Sequence, residues 1–290
     1  MRDVSVVIPA YNAEQFIGGA IESALAQTCP VREIIVVDDG STDHTVNIAR
    51  SFPRVTCYSQ SQLGPSAARN LGVERAAGCW IGYLDADDLW MKDKLERQFA
   101  ALENNPEAGL IYSGRIELHD DGIVRTIIAK DPAWTHARLT FENPLFPSNV
   151  LVKRSLALQH PWPTQFKSSE DWYYFYKLSR ATRFACIPEP SIYYRMHAQS
   201  LTHRDYRAVL RYAREVSRAI QADFSGLEKL VMRGKVDARL LASAAIAARD
   251  QGSRECLRHI CASLLSWPFP SVAPTRYRLF VKMVLERAGA

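Results

Sequence analysis

The sequence predicts an α/β protein with a mostly parallel sheet flanked by helices, followed by a C-terminal helical appendage. Short β-branched runs at residues 4–8 and 33–37 each lead into a segment with helical spacing. This alternation is typical of βαβ units and parallel sheets. A third apolar run, at residues 80–84, repeats it, and towards the C-terminus only helical periodicity remains. We therefore predict two domains, residues 1–202 and residues 203–290.

Length and composition are those of a globular protein rather than a disordered or disulfide-rich one. The 290 residues are 47% hydrophobic and 23% charged, which are ordinary values for folded domains. Six cysteines without a CxxC pair favour a reducing cytosol. No signal peptide is expected, and no run reaches the roughly 18 apolar residues of a membrane-spanning helix. We expect a cytoplasmic protein.

The net charge of +5 is distributed unevenly along the chain. Residues 201–290 hold 16 Lys and Arg against 8 Asp and Glu, whereas residues 1–200 hold 20 against 23. The two parts are therefore expected to face different partners. Nucleic-acid binding is not predicted, because no recognised nucleic-acid-binding module accompanies the basic charge.

A cluster of carboxylates follows the apolar run at residues 80–84, where Asp85, Asp87 and Asp88 stand together. Clustered carboxylates repel one another, which pushes some of them towards protonation. A hard divalent cation, Mg²⁺ or Mn²⁺, removes that conflict. The alternative is that Asp87 or Asp88 only caps the helix predicted to follow.

Residues 9–12, 38–41 and 85–88 all follow predicted strands. Ligands of parallel α/β sheets bind outside the carboxyl ends of the strands, so these three segments are expected to converge on one site. The sequence lacks GxGxxG after its first strand and lacks GxxxxGK[ST], which disfavours dinucleotide and P-loop sites. Acidic residues and a metal are expected to hold the phosphates instead.

Four separated motifs stand in the order and spacing of a known enzyme family. They are Val-Ile-Pro-Ala-Tyr-Asn at 7–12, Val-Val-Asp-Asp-Gly-Ser-Thr-Asp at 36–43, Pro-Ser-Ala-Ala-Arg-Asn-Leu-Gly at 65–72 and Tyr-Leu-Asp-Ala-Asp-Asp at 83–88. Over about residues 3–200 the chain resembles the family 2 glycosyltransferases, which have a GT-A fold. The third motif also opens a helix rich in small residues, as close packing requires.

The resemblance implies that a nucleotide-sugar donor lies across the strand ends. Pro9 and Tyr11 would pack on the nucleoside, and Asp39, preceded by Asp38, would hydrogen-bond the base. Arg69 would lie near the base or the diphosphate. The plainer alternatives are a turn residue for Tyr11 and a surface ion pair for Arg69.

The resemblance also implies residues for the ribose, the metal and the phosphates. Asp85 would bind the ribose, and Asp87 would bind the Mn²⁺ or Mg²⁺ ion that bridges both phosphates. The segment Arg195-Met-His197 matches an Arg-x-His element of the family. Arg195 would lie over the diphosphate, and His197 would be a further metal ligand. A lone histidine is otherwise more often structural.

Glu170 and Asp171 precede an aromatic-rich helical segment, at the place where the family has its catalytic base. Glycosyl transfer with inversion needs a carboxylate that deprotonates the acceptor hydroxyl during its attack on the anomeric carbon. Asp171 would be this base, and Glu170 would contact the acceptor or orient the loop. The alternative is a pair of acids that only favours the helix dipole.

The resulting interpretation is a metal-dependent inverting glycosyltransferase. It would move a sugar from a nucleotide-diphosphate sugar, expected to be a UDP-sugar, to a hydroxyl of a saccharide or lipid-linked saccharide in surface polysaccharide biosynthesis. One alternative is a non-catalytic sugar-nucleotide-binding subunit. Another is a sugar nucleotidyltransferase, which would need a glycine-rich loop where residues 11–14 stand.

Basic residues at helical spacing mark the C-terminal part. A ridge of four arginines lies opposite an apolar seam, and a basic amphipathic segment follows near residues 276–287. One interpretation is a solvated helix face. A second is a peripheral contact with the anionic inner face of the cytoplasmic membrane, and a third is that the arginine stripe binds the diphosphate of the acceptor. The ridge consists of Arg207, Arg211, Arg214 and Arg218.

Overall fold

A computed structural model of the chain describes residues 3–119, 122, 124–197, 206–250, 252–253, 255–269 and 275–288. Contacts between Cα atoms divide the chain into two compact units. The first comprises the residues up to 137 together with 144–197, and the second comprises 138–143 and the helices from residue 206 onwards. The boundary predicted after residue 202 stays a prediction, because residues 198–205 lie outside the described part of the chain.

The first unit is built on one sheet, in which the described residues form nine strands. Their order is β3-β2-β1-β4-β8-β6-β9-β5, and β7 pairs with β6. The strands are β1 Val4–Ala10, β2 Glu33–Asp38, β3 Val55–Ser59, β4 Trp80–Tyr83, β5 Leu89–Trp90, β6 Ala108–His119, β7 Val124–Ile127, β8 Val150–Lys153 and β9 Arg183–Met196.

The α/β prediction is confirmed, and the parallel arrangement is strict in one half of the sheet. Strands β3, β2, β1 and β4 are parallel neighbours. In the other half β6 and β9 are parallel, whereas β8 runs antiparallel between β4 and β6. Strands β5 and β7 are also antiparallel to their partners. The sheet is therefore parallel in one half and mixed in the other.

Helices follow the strands of the parallel half, as βαβ units require. Two further helices occupy the segment in which the sequence shows no clear periodicity. The helices of this part of the chain are α1 Ile17–Leu25, α2 Thr45–Arg50, α3 Pro65–Arg75, α4 Lys94–Glu103, α5 Pro132–Leu139, α6 Arg154–Gln159 and α7 Glu170–Ala181.

The start of α4 decides between two interpretations of the clustered acids. The helix begins at Lys94, and Asp93 is its N-cap residue. Asp87 and Asp88 lie well before this end, because Asp87 is in the turn that precedes β5 and Asp88 directly precedes β5. Neither residue therefore caps the helix, and the capping alternative is wrong.

Helix α3 lies close against β1, as its small residues predict. A Cβ added to Gly72 would lie only 2.4 Å from Val7 Cγ1. Both residues are buried. The glycine thus sets the distance between this helix and the sheet, and it fixes the height at which Arg69, one turn earlier, stands over the strand ends.

The second unit is helical in all of its long described segments. One face of the first of these helices is buried through Ala213, Val216 and Ile220, and the arginine ridge lies away from this seam. No described helix of the chain is both long enough and apolar enough to span a bilayer. The four helices are α8 Tyr206–Gln221, α9 Gly226–Asp250, α10 Cys256–Ser266 and α11 Thr275–Ala288.

Two basic residues that the spacing assigns to surfaces have specific bonding partners in the structure. Arg276 is 1% exposed and donates hydrogen bonds to the carbonyl oxygens of Ser263, Trp267 and Phe269. The prediction that it belongs to a basic outer face is wrong, because its guanidinium is bonded to backbone carbonyl oxygens at and just after the end of α10. Arg207 forms an ion pair with Glu255 at 3.0 Å.

Replacing Gly72 by alanine should destabilise the protein by about 1–3 kcal/mol, the usual cost of overpacking a core. Gly18 in α1 is the matched control. A Cβ there would lie 3.7 Å from Ile48, an ordinary contact, and alanine in a helix is favoured over glycine by about 0.5–1 kcal/mol. Chemical denaturation measures both effects. A Gly72→Ala protein as stable as wild type would contradict the close approach.

Candidate active site

The loops after β1 and β2 are joined into one rim at the carboxyl ends of the strands. Asn12 donates its backbone N–H to Ser41 Oγ at 2.9 Å, and Thr42 donates its backbone N–H to Asn12 Oδ1 at 2.8 Å. The Asp39 N–H is bonded to the Ala10 carbonyl at 2.8 Å. The parallel pairing of β1 with β2 therefore extends into the loops, and the two predicted segments converge.

The two acids of the β2 loop have different surroundings. Asp38 is buried, and its carboxylate accepts the backbone N–H groups of Gly40 and Ser41. These contacts belong to a turn, so the prediction that Asp38 binds donor stays a prediction. Asp39 is partly exposed and accepts the N–H groups of Leu63 at 2.7 Å and Gly64 at 2.9 Å. It thereby links the rim to the start of α3.

Pro9 and Tyr11 lie on the same rim. Pro9 is partly buried at the end of β1. Tyr11 is 51% exposed, and its hydroxyl accepts a hydrogen bond from Gln62 Nε2 at 3.3 Å. An exposed aromatic ring held at one end by a hydrogen bond is suited to pack against a planar ligand.

Arg69 connects the two groups of acids that the sequence singles out. Its guanidinium donates to Asp85 Oδ1 at 2.8 Å and to Glu170 Oε1 at 2.9 Å. The side chain is only 6% exposed. Burial alone would lower the pKa of Arg69, but the charges of Asp85 and Glu170 raise it by more than burial lowers it. The pKa therefore lies above its usual value. Arg69 is therefore always cationic, and it pairs with two partly buried acids of the site rather than with a surface acid.

An aromatic stack supports this guanidinium from below. The Arg69 Cζ atom lies 4.3 Å from the centroid of the Trp162 ring, within the range of a cation–π contact. Trp162 stacks on Tyr174 at 3.9 Å, and Tyr174 shares a 3.0 Å hydrogen bond with Tyr83. Sequence reasoning missed Trp162, because its contact with a residue far away in the chain leaves no local signal.

Among the residues of the site, Asp87 and His197 are arranged most like the ligands of a metal ion. His197 Nε2 lies 3.1 Å from Asp87 Oδ2. Burial, followed by the charge of Asp85, raises the pKa of Asp87. His197 packs against the Phe16 ring at 4.8 Å, and the Arg195 guanidinium lies 5.5 Å from the same ring. The β9 end therefore returns beside the acids.

The donor set fits a divalent cation that takes its remaining ligands from elsewhere. Within the described residues, no group of three or more His, Cys, Asp or Glu side chains could hold a metal alone. A carboxylate oxygen and an imidazole nitrogen suit Mn²⁺, and Mg²⁺ commonly uses few carboxylates together with phosphates and water. Asp87 and His197 are the side chains that would hold such an ion beside a bound diphosphate.

Asp88, the third acid of the cluster, holds the site together rather than lining it. It is fully buried, accepts Ser148 Oγ–H at 2.5 Å and accepts the Arg195 backbone N–H at 3.2 Å. Burial, with the charges of Asp87 and Asp85, raises the pKa of Asp88 well above its usual range. Asp88 thus fastens the end of β9 to the turn after β4.

Glu170 and Asp171 occupy the first turn of α7. Ser169, which precedes them, has a left-handed φ of 60°. Burial, followed by the charge of Glu170, raises the pKa of Asp171 to about 7. Glu170 is held by Arg69 at 2.9 Å. Acids that only favoured a helix dipole would not need the ion pair by which Arg69 joins Glu170 to Asp85. The catalytic roles of Glu170 and Asp171 stay predictions.

Comparison with known proteins defines the class of fold. The fold is of the GT-A type. TarS from S. aureus, solved in complex with UDP, superposes with a TM-score of 0.66 at 19% identity, over 92% of this chain and 81% of that chain. The mannosyltransferase PcManGT from Pyrobaculum calidifontis, solved with GDP-Man and Mn²⁺, superposes with a TM-score of 0.62 at 20% identity, over 97% and 86%.

The family model for glycosyl transferase family 2 matches residues 5–151. The chain therefore belongs to glycosyltransferase family 2. It is 27% identical over 215 residues to the UDP-Glc:alpha-D-GlcNAc-diphosphoundecaprenol beta-1,3-glucosyltransferase WfaP of Escherichia coli, covering 73% of this chain and 84% of the relative. The chain is also 45% identical to an uncharacterized glycosyltransferase of Rickettsia felis over 105 residues, which are 35% of this chain. These residues cover only 17% of that relative.

Arg69→Met should lower the free energy of unfolding by roughly 3–5 kcal/mol, because it leaves Asp85 and Glu170 together without their cation. Arg69→Lys should recover part of this loss, since one ammonium cannot span both carboxylates as a guanidinium does.

Arg32, which is half exposed and pairs with Asp3 at 3.1 Å, provides the control. Arg32→Met should cost less than about 1 kcal/mol, as is usual for surface ion pairs. Equal losses for Arg69→Met and Arg32→Met in urea denaturation would contradict the central role of Arg69.

Proposed function

We propose that this glycosyltransferase moves a sugar from a UDP-sugar to a hydroxyl of a lipid-linked saccharide, with inversion at the anomeric carbon and with Mn²⁺ or Mg²⁺. WfaP carries a UDP-glucose donor and a diphosphoundecaprenol acceptor in its name, and TarS was solved with UDP. The observation that carries the proposal is that Arg69 donates hydrogen bonds both to Asp85 and to Glu170. It thereby joins the acid proposed to bind the donor to the neighbour of Asp171, the proposed base.

The donor would lie along the rim at the strand ends. The exposed Tyr11 ring and Pro9 would pack against the nucleoside, and Asp39 would accept a hydrogen bond from the base. Asp85 would bind the ribose while the hydrogen bond from Arg69 holds its carboxylate in place. Because Asp39 already accepts two backbone N–H groups, its carboxylate is held in one orientation before the donor arrives.

Asp87 and His197 would hold the divalent cation, and Arg195 would lie over the diphosphate. The bound cation would neutralise the charge that develops on the leaving diphosphate. His197 Nδ1 is buried and has no hydrogen-bond partner among the described residues. Phe16, packed on the ring, therefore orients the imidazole.

Asp171 would act as the general base. Its carboxylate takes the proton of the acceptor hydroxyl while the hydroxyl oxygen attacks the anomeric carbon. The new glycosidic bond forms on one face as the bond to the diphosphate oxygen breaks on the other, so the configuration inverts. A base with a pKa near 7 is suited to this step at neutral pH. Glu170, fixed by Arg69, would orient the acceptor.

The proposed acceptor also implies where in the cell the protein acts. A saccharide carried on a membrane lipid is met at the membrane surface, whereas UDP-sugars are water-soluble. We propose that the protein acts from the cytoplasm at the inner face of the cytoplasmic membrane.

Asp87→Ala should abolish most of the metal-dependent part of donor binding, because it removes the carboxylate nearest to the phosphates. Calorimetry with UDP, in the presence and absence of Mn²⁺, measures this. Asp85→Ala is the comparison variant, which should weaken UDP binding while keeping its Mn²⁺ dependence. An Asp87→Ala protein with the Mn²⁺ response of wild type would sink the assignment. GDP and TDP in the same assay test the choice of base.

Asp171→Asn should leave UDP affinity unchanged and lower the transfer rate by roughly 10²-fold or more, the scale of losing a general base. In wild type, kcat/KM should rise with pH and level off above about 7, because only the carboxylate accepts the proton. Near wild-type transfer by Asp171→Asn, with a UDP-sugar and a lipid-linked acceptor, would exclude Asp171 as the base.

The same variant has a readout that does not depend on the acceptor. A carboxyl whose folded-state pKa is raised stabilises the fold most below about pH 4, and this contribution is lost as pH rises through about 7. Asp171→Asn should therefore melt at a higher temperature than wild type above pH 7. Melting curves that shift in parallel at all pH values would contradict the raised pKa.

A further inference from the structure

The second unit contains a basic cavity that the proposed transfer does not use. It lies between α8 and α9 and has a volume of about 660 Å³. A second cavity of about 230 Å³ continues along α8 and shares two arginines with the first. The residues that matter in the first cavity are Arg214, Arg218, Lys229, Leu230, Arg233 and Asp237.

The cations of this cavity outnumber the acids that could neutralise them. Within the described residues, Arg214, Arg218 and Lys229 form no ion pair, and Arg233 reaches Asp237 only at 3.9 Å. Arg207, by contrast, is held by Glu255 at 3.0 Å. Like charges gathered in a concave site repel one another, and a bound anion relieves that repulsion. The cavity therefore favours an anionic ligand.

The N-terminus of α9 opens into the same cavity at Gly226, whose φ is 52°. This helix is 25 residues long, and the first N–H groups of a helix attract anions such as phosphate. Arginine and lysine side chains supply the charge-assisted hydrogen bonds that phosphate oxygens accept. The helix end and the side chains thus point independently to a phosphate group.

Two leucines beside the cavity decide between phosphate in solution and phosphate at a membrane. Leu227 is 75% exposed and Leu230 is 65% exposed. They lie three residues apart, on one face of α9, next to Lys229 and Arg233. A soluble phosphate would gain nothing from these side chains, whereas leucines flanked by cations are typical of helices that lie at a lipid interface.

We propose that this cavity binds the phosphate headgroups of anionic membrane phospholipids, with Leu227 and Leu230 entering the boundary between headgroups and acyl chains. The binding is peripheral and reversible, and it is separate from the donor and acceptor contacts of the first unit. Of the four arginines in the ridge, Arg214 and Arg218 line this cavity and would contact the headgroups.

Co-sedimentation of the full chain with vesicles tests the proposal. Vesicles of phosphatidylglycerol in phosphatidylcholine should bind the protein at low salt, and vesicles of phosphatidylcholine alone should not. Binding should weaken as salt rises, because surface charges are screened. No binding to the anionic vesicles at low salt would overturn the proposal.

Arg214→Gln combined with Arg218→Gln should lower the vesicle partition coefficient roughly 30-fold, since each basic residue at an anionic surface contributes about a fivefold gain. Arg278→Gln with Lys282→Gln is the matched control, because these exposed residues of α11 carry the same charge outside the cavity. It should weaken binding less than about fivefold. Equal losses in both proteins would mean diffuse attraction and would overturn the cavity assignment.

Leu227→Ser with Leu230→Ser separates the two sources of phosphate. The loss of apolar contact should weaken vesicle binding about tenfold, and inorganic pyrophosphate should compete poorly. Wild-type binding by the leucine variant, with strong competition by pyrophosphate, would mean a soluble phosphate ligand and would overturn the membrane proposal. Melting temperatures verify that each variant is folded. Because binding and not transfer is measured, the result is independent of the proposed reaction.

Discussion

The ion pairs of one buried guanidinium hold the candidate active site together. Arg69 reaches from α3 to Asp85 after β4 and to Glu170 at the start of α7, so three separate segments meet at one charge. Without it, Asp85 and Glu170 would lose their shared cation, and their like charges would repel one another. Its position depends on the face of Trp162 below it and on Gly72, which lets α3 lie against Val7. Packing, stacking and electrostatics thus act on the same side chain.

The carboxylates of the site also differ in their bonding partners and in their burial. Asp88 is buried and bonded to Ser148 and to the Arg195 backbone, so it fixes the fold of the site. Asp85 and Glu170 share the single positive charge of Arg69. Asp171 is next in sequence to Glu170, and burial followed by the charge of Glu170 raises its pKa. Neighbouring acids of one site therefore differ in their electrostatic surroundings, and the pKa of Asp171 is raised to about 7.

How far the sequence predicts this structure depends on the range of the interactions. Strands β1, β2 and β4 and the convergence of their loops follow from local patterns, because β-branched runs and the acids after them lie close together in the chain. The stack of Trp162 under Arg69 joins residues far apart, and no spacing reveals it. Arg276 has the spacing of a surface residue but is buried against backbone carbonyl oxygens, and hydrogen bonds to another helix leave no periodic pattern in the sequence. Helices α5 and α6 are short and lack a clear apolar stripe.

The bonds that tie the β1 loop to the β2 loop have a consequence for how such an enzyme can be altered. Asn12 both donates to Ser41 and accepts from Thr42, while Asp39 fastens the same rim to Gly64. A change on this side must satisfy several partners at once, so new specificities should be sought elsewhere. The exposed residues 164, 165 and 167, between Trp162 and α7, take part in none of these bonds. Insertions made there would leave the two joined loops as they are.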